Sequence, residues 1–526
     1  MQHSLRGYRG VTTAPHHLAS QAGLDILKDG GTAVEACVAM AAALAVVYPH
    51  MTGIGGDGFW LIHDPDGHVH AVDACGAAAG KADLSFYGNL TEIPWRGPLA
   101  ANTVAGTISG WQQALAGDAG TLTLTRLLRD AIELAEEGVA VTRGGAEVGQ
   151  SKHAELVAQR GAYRDVFTVS GRPLQENDRL KQPALAQTLK TLAENGFQDF
   201  YSGCLARAIV GDLADLGSPL TAEDLARHRA SEPAPLSVRV NGATLFNTAP
   251  PTQGLASLLI LALFDRLDVG AAETFGHLHG LVEATKQAFL IRDAHVGDPA
   301  YMEMSPQDLL DDPDRLDALA AAIDPARAMP WPWPSALGDT TWFGAADMRG
   351  QVVSCIQSTY FEFGSGLVLP ETGITWQNRG SSFRLTADGW NALQPGRKPF
   401  HTLNPALARF EDGRVMGYGT MGGEGQPQTQ AAIFSRYARF GVPLQEAVSR
   451  PRWLLGRTWG ETSMTLKLES RFSPELVDKL RAAGHDVELL SALTSTMGHA
   501  GAIVRHPDAM LEGATDPRSD GAVAAW

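Results

Sequence analysis

The run Pro330-Trp-Pro-Trp-Pro334 divides this chain of 526 residues into two differently patterned parts. Each proline fixes φ and lacks an N–H, so the run can be neither a helix interior nor a central strand. It predicts a surface linker. Before it, helical patterns dominate. Residues 15–29 read as an amphipathic helix ending at Gly30-Gly31, and Thr32 caps a second helix reaching Tyr48. The glycine-rich turn Gly53–Gly58 follows, then strands Phe59–His63 and His68–Val72 around an Asp64–Gly67 turn. Residues 120–235 read as mostly helical, as do Leu255–Asp265 and Gly276–Arg292.

After the linker the period changes from helix to strand. Thr341–Ala346 and Gln351–Gln357 alternate as strands around the turn Asp347–Gly350, and Ala406–Phe410 pairs with Arg414–Tyr418 around Asp412-Gly413. Helices return near 427–450 and 474–484. Strands and helices in separate runs imply sheets packed face to face with helices outside.

Composition narrows the function. The net charge is −16, which repels nucleic acid and anionic membrane, so neither is an expected partner. The longest apolar run, Ala36–Tyr48, is too short to span a bilayer. The four cysteines form no CxxC pair and no metal-ligand spacing. With no apolar signal core in MQHSLRGYRG, the expectation is a soluble cytoplasmic protein with reduced thiols.

Several motifs fail their context test. Gly53-Ile-Gly-Gly-Asp-Gly58 matches G-x-G-x-x-G, but a helix precedes it and a strand follows, the reverse of a dinucleotide site. A tight turn is the better reading. No HExxH, P-loop or G-x-S-x-G occurs.

Asp339-Thr340-Thr341 follows the linker and opens a strand; alone, such a pair carries little. Its surroundings carry more. From Thr340 to Phe383 a Thr pair, a strand, a D-x-x-G turn, a second strand, F-G-S-G and E-x-G-I-x-x-x-N follow one another. This segment resembles the start of the small subunit of gamma-glutamyltranspeptidases. The resemblance extends over nearly the whole chain. It includes Ala14-Pro-His-His, the Gly53–Gly58 turn, Glu283-Ala-Thr-Lys-Gln-Ala-Phe289, Gly297-Asp-Pro299 and Gly513-Ala-Thr-Asp-Pro-Arg518.

The resemblance implies an α+β fold, the four-layer αββα sandwich of N-terminal-nucleophile hydrolases. It implies a precursor that cuts itself between Asp339 and Thr340. Residues 1–339 would become the large subunit and 340–526 the small one, together forming one αββα unit. Thr340 would then be nucleophile and, through its new α-amine, base, so that no metal or organic cofactor is needed; a chain-terminal amine ionises near roughly 7.7–8. Ser358 stands where the family places a hydroxyl beside the nucleophile. Gly422-Gly423 stands where its backbone N–H groups form an oxyanion hole.

The chain departs from the family around the substrate. Ser382 replaces the acid that binds a glutamyl α-amine, and a nearby position that is often Gln is Arg379. His401-Thr402 replaces a serine pair that holds the carboxylate. Lys81 aligns loosely with a carboxylate-binding arginine, and Tyr360 replaces a small polar residue. A buried ammonium without its acid is costly, and arginine suits a carboxylate. The expected substrate is thus a small anionic amide, as in the divergent oxamate amidohydrolases. The alternatives are a gamma-glutamyl hydrolase or transpeptidase acting on glutathione-like substrates, and a non-catalytic binding protein that retains the fold. Whether the protein oligomerises further is left open by the sequence.

Overall fold

The computed structural model describes residues 3–240, 242–331, 340–456 and 463–526. Most of the proline-rich linker, with Asp339, lies outside them. Two antiparallel sheets form the centre. One has six strands, ordered Ala522–Ala525, Gly10–Ala14, Thr341–Asp347, Val352–Ser358, Asp57–His63, Val69–Ala74. The other has seven, including Leu236–Val240, Ala243–Asn247, Ala406–Phe410, Val415–Thr420, Ala500–Arg505 and Leu511–Thr515.

Strand alternation explains the layering. Along Thr341–Asp347, Phe343 and Ala345 join the core beneath the helices, while Ala346 turns into the seam between the sheets. The adjacent strand repeats this, with Val353 and Cys355 on the helix side and Val352 in the seam. Val11, Leu61, Leu407, Val415 and Ile503 complete the seam. Helix Ala33–Val47, buried along its whole length, covers the six-stranded sheet. Helices Gly254–Asp265 and Gly425–Phe434 cover the seven-stranded one, and Phe275–His295 packs against both of them. The architecture is therefore the four-layer αββα sandwich.

Thr32 caps its helix as expected, in a reciprocal capping box with Glu35. Two expectations needed adjustment. The glycine-rich turn ends earlier, because Asp57 and Gly58 already pair in the strand with Ser358 and Gln357. The helix near 427–450 is broken: Gly425–Phe434 passes into a π-helical turn at Ser435–Arg439, and a separate helix runs Leu444–Ser449. The four cysteines are free thiols. Among the described residues no helix is long and apolar enough to cross a membrane.

Candidate active site

The site lies where three neighbouring strands reach one end of the six-stranded sheet. Thr341 pairs with Gln357, so the register carried one residue further sets Thr340 beside Ser358. On the other side Ser358 pairs with Asp57. All three residues are fully buried. Gly56 lets the strand ends approach this closely, because a Cβ there would stand 2.0 Å from the Ser358 carbonyl oxygen.

The second sheet contributes the turn after Val415–Thr420. Gly422 and Gly423 have φ of 119° and 51°, conformations that favour glycine. Among the described residues neither N–H donates to a protein acceptor. The helix Gly425–Phe434 begins directly after. In its first turn, Gln426 donates from Nε2 to Thr340 Oγ1 at 2.9 Å. Gln253 ties this turn to the next loop, donating to the carbonyls of Gly423 (2.8 Å) and Thr402 (2.6 Å).

Past Ser358 the chain turns sharply. Tyr360 has φ 84°, a strained value for a bulky residue, and its N–H donates to Ser358 Oγ at 2.7 Å. Its ring lies under the Arg379 guanidinium, with Cζ 3.7 Å from the ring centroid. Arg379 is 1% exposed and donates from Nη1 to Thr402 Oγ1 at 3.3 Å. Its Nε and Nη2 have no partner among the described residues. Burial lowers its pKa to about 10, so the guanidinium stays charged at neutral pH. Burial also pushes the Tyr360 hydroxyl up to about 12.

Asp57 is the nearby anion. Its Oδ1 accepts from the N–H groups of Gly76 and Gly106 and from Gln377 Nε2, and Oδ2 faces His401 Nε2 at 3.1 Å. Burial raises its pKa to about 7, against the pull of Arg379 and of these donors. Burial, then Arg379 and Lys398, push His401 well below the usual imidazole range, so the ring is neutral. Leu403 N–H donates to its Nδ1 at 3.4 Å, so the proton sits on Nε2 and both ring nitrogens are engaged.

The remaining sequence-predicted residues are more scattered. Ser382 is half-buried and lines a cavity of about 930 Å³ with Tyr360, Glu424, Asp293, Trp390 and Trp95. Thr340, Ser358 and Arg379 do not line that cavity. Lys81 is exposed on a turn and is absent from its wall. Sequence reasoning missed two residues at the centre. Asp57 was visible only as part of a glycine-rich turn, and Gln426 had no signal beyond lying just after Gly422-Gly423.

Two buried groups carry metal-ligand atoms within reach of one another: Asp57, Cys75 and His401, and His279, Glu283 and His485. Neither has the donors of a metal site to spare. In the first, Asp57 and His401 are hydrogen-bonded as above and face the cations Arg379 and Lys398. In the second, His279 hydrogen-bonds His485 (2.9 Å) and the Asp324 carbonyl (2.8 Å), while Glu283 holds Lys286 Nζ at 2.7 Å.

An αββα sandwich with a threonine opening a central strand defines the class of N-terminal-nucleophile hydrolases. Residues 19–526 match the sequence model for gamma-glutamyltranspeptidase, and the chain belongs to that family of enzymes. It is 55% identical to an oxamate amidohydrolase proenzyme of Klebsiella pneumoniae, over 98% of each chain. It is 30% identical to a glutathione hydrolase proenzyme of Escherichia coli, over 98% of this chain and 92% of that one. Among solved structures, a cephalosporin acylase from Bacillus halodurans superposes with a TM-score of 0.92. That acylase is 32% identical, and the match covers 100% of this chain and 97% of the other.

Proposed function

We propose that the chain is a self-processing amidohydrolase that cleaves a small carboxylate-bearing amide, oxamate foremost, through an acyl-enzyme on Thr340. The observation that carries this reading is Arg379, a buried, charged guanidinium whose Nε and Nη2 have no partner among the described residues. A buried cation in this state favours an anionic ligand by several kcal/mol, roughly the cost of leaving it unpaired. The relative from Klebsiella pneumoniae supports oxamate as the first substrate to test.

In this reading the Asp339–Thr340 bond is cut first, giving residues 1–339 and 340–526. The Thr340 hydroxyl attacks the Asp339 carbonyl, and water resolves the resulting ester. The freed α-amine then takes the hydroxyl proton as Thr340 attacks the substrate amide. Ser358 supports the nucleophile from the neighbouring strand. Gly422 and Gly423 N–H groups receive the oxyanion. Thr402 and Tyr360 hold Arg379 against the substrate carboxylate, and Tyr360 keeps the acyl pocket short. His401 acts through its link to Asp57, and Ser382 stands at the cavity wall without the charge a glutamyl amine needs. Lys81, exposed and away from this cluster, is assigned no step. The four free thiols fit a reducing compartment, and the same proposal places the enzyme in the cytoplasm.

The test is ammonia release from oxamate by the processed protein, set against chromophore release from a gamma-glutamyl anilide. Faster turnover of the anilide overturns the substrate assignment.

A further inference from the structure

Gln426 donates to the Thr340 hydroxyl, and nothing in the sequence reading gave it a role. We infer that Gln426 is a catalytic residue that stabilises Thr340 Oγ1 as the leaving atom when the acyl-enzyme ester is resolved. The inference rests on the proposed nucleophile.

The geometry fixes which way the amide faces. Gln426 Oε1 accepts the Asn404 backbone N–H at 3.2 Å. That donor is buried and needs an acceptor, so the amide cannot be flipped without orphaning it. The NH₂ group is thereby aimed at Thr340 Oγ1, 2.9 Å away. Asn404 is itself held, its carbonyl accepting Gln430 Nε2 at 2.5 Å and its side chain donating to Ser257 Oγ. Gln426 is 0% exposed, so water does not compete for the contact. It also sits in the first turn of a ten-residue helix, whose N-terminal field favours negative charge on the same oxygen.

The two half-reactions make unequal use of this donor. In acylation, the Oγ1 lone pair attacks the amide carbon, the hydroxyl proton passes to the α-amine, and that proton leaves with the departing nitrogen. Oγ1 ends as an ester oxygen. In deacylation, water loses a proton to the α-amine and adds to the ester carbon. The C–Oγ1 bond then breaks and its electron pair goes to Oγ1. Negative charge builds there until the α-ammonium returns the proton. Gln426 faces that charge throughout. Resolution of the Asp339 ester during self-cleavage expels the same atom and needs the same donor.

The experiment uses the full-length protein with Gln426→Met, which removes the donor at similar volume, and Gln426→Glu, which keeps an acceptor for Asn404 at pH 8 but loses the donor. Turnover is followed on the small amide that the wild type hydrolyses. Removing one donor aimed at developing charge costs on the order of 10²-fold in kcat. The expected result is that loss with kcat/KM within about twofold, because KM falls with kcat when only deacylation is slowed, together with acyl adduct on the small fragment in acid-quenched mass spectra. A variant that stays uncut is expected to carry the internal ester, which hydroxylamine cleaves at the Asp339–Thr340 junction. Wild-type kcat in both variants overturns the inference. So does a folded, uncut variant that hydroxylamine leaves intact. Normal processing of Thr340→Ala would instead overturn the nucleophile assignment on which the inference rests.

Discussion

The Arg379 guanidinium lies over the Tyr360 ring, its Cζ 3.7 Å from the centroid, on a tyrosine held at φ 84°. The stack holds the cation in place while two of its nitrogens have no partner among the described residues. Asp57 offsets the charge through space, its own oxygens being occupied by Gly76, Gly106, Gln377 and His401. The guanidinium therefore stays charged without its fork being filled by any described residue.

Arg379→Ala should lower kcat/KM for oxamate by about 2–4 kcal/mol, the range for losing a charge-assisted contact in a desolvated site. Arg379→Lys should recover little, because an ammonium neither stacks on Tyr360 in the same way nor offers a planar fork. Self-cleavage should survive both changes, since it uses the chain's own Asp339 carbonyl. Steady-state kinetics beside denaturing gels separate the two effects. Unchanged kcat/KM in Arg379→Ala would remove the residue from the pocket.

Processing should give two fragments, the smaller beginning at Thr340, and Thr340→Ala should leave one uncut chain. N-terminal sequencing of the small fragment is the check. A start at Thr341, or a cut in Thr340→Ala, would move the nucleophile elsewhere.

The protein should be acid-labile well above the carboxylate range. Burial lowers the pKa of His16, His50, His228, His277, His485 and His499 to about 3. Unfolding frees each ring to ionise near its ordinary value of about 6.5. Between those values the unfolded chain binds more protons than the folded one. The stability these rings contribute is complete above pH 6.5 and is lost as pH falls toward 3. Asp57, raised to about 7, has the opposite sign and loses stability as pH rises through that value, but it is one group against six. Denaturant titrations from pH 7 to pH 5 should show stability falling with a net uptake of roughly five protons near pH 5, six taken up by the rings and one released by Asp57. A flat profile over that range would mean the rings are solvated.

How much of this could be read from the sequence depended on distance along the chain. Thr341–Ala346 and Gln351–Gln357 were legible because alternation and the Asp347–Gly350 turn are local signals, and the two strands are each other's partners. Gly10–Ala14 was not read as a strand. Its partners are Ala346 and its neighbours on one side and Val523 on the other, hundreds of residues away. The C-terminal strands Ala500–Arg505 and Leu511–Thr515 also went unread, although they are each other's partners as well as those of the distant Val415–Thr420 and Leu5–Gly7. At the site, family resemblance pointed to Thr340, Ser358 and the glycine pair. Asp57 and Gln426 acquire their places only when the strand ends and the helix start meet in space, and no spacing in the sequence encodes that meeting.

The central claim is the choice of substrate, and one comparison tests it most directly. The processed wild-type protein is given oxamate and a gamma-glutamyl anilide in parallel, and kcat/KM is measured for each. A buried guanidinium, with Ser382 standing in place of the acid that would bind an α-ammonium, predicts oxamate hydrolysis to oxalate and ammonia, with the anilide slower by at least about two orders of magnitude, the cost of one unpaired buried charge. Preference for the gamma-glutamyl substrate would contradict the account.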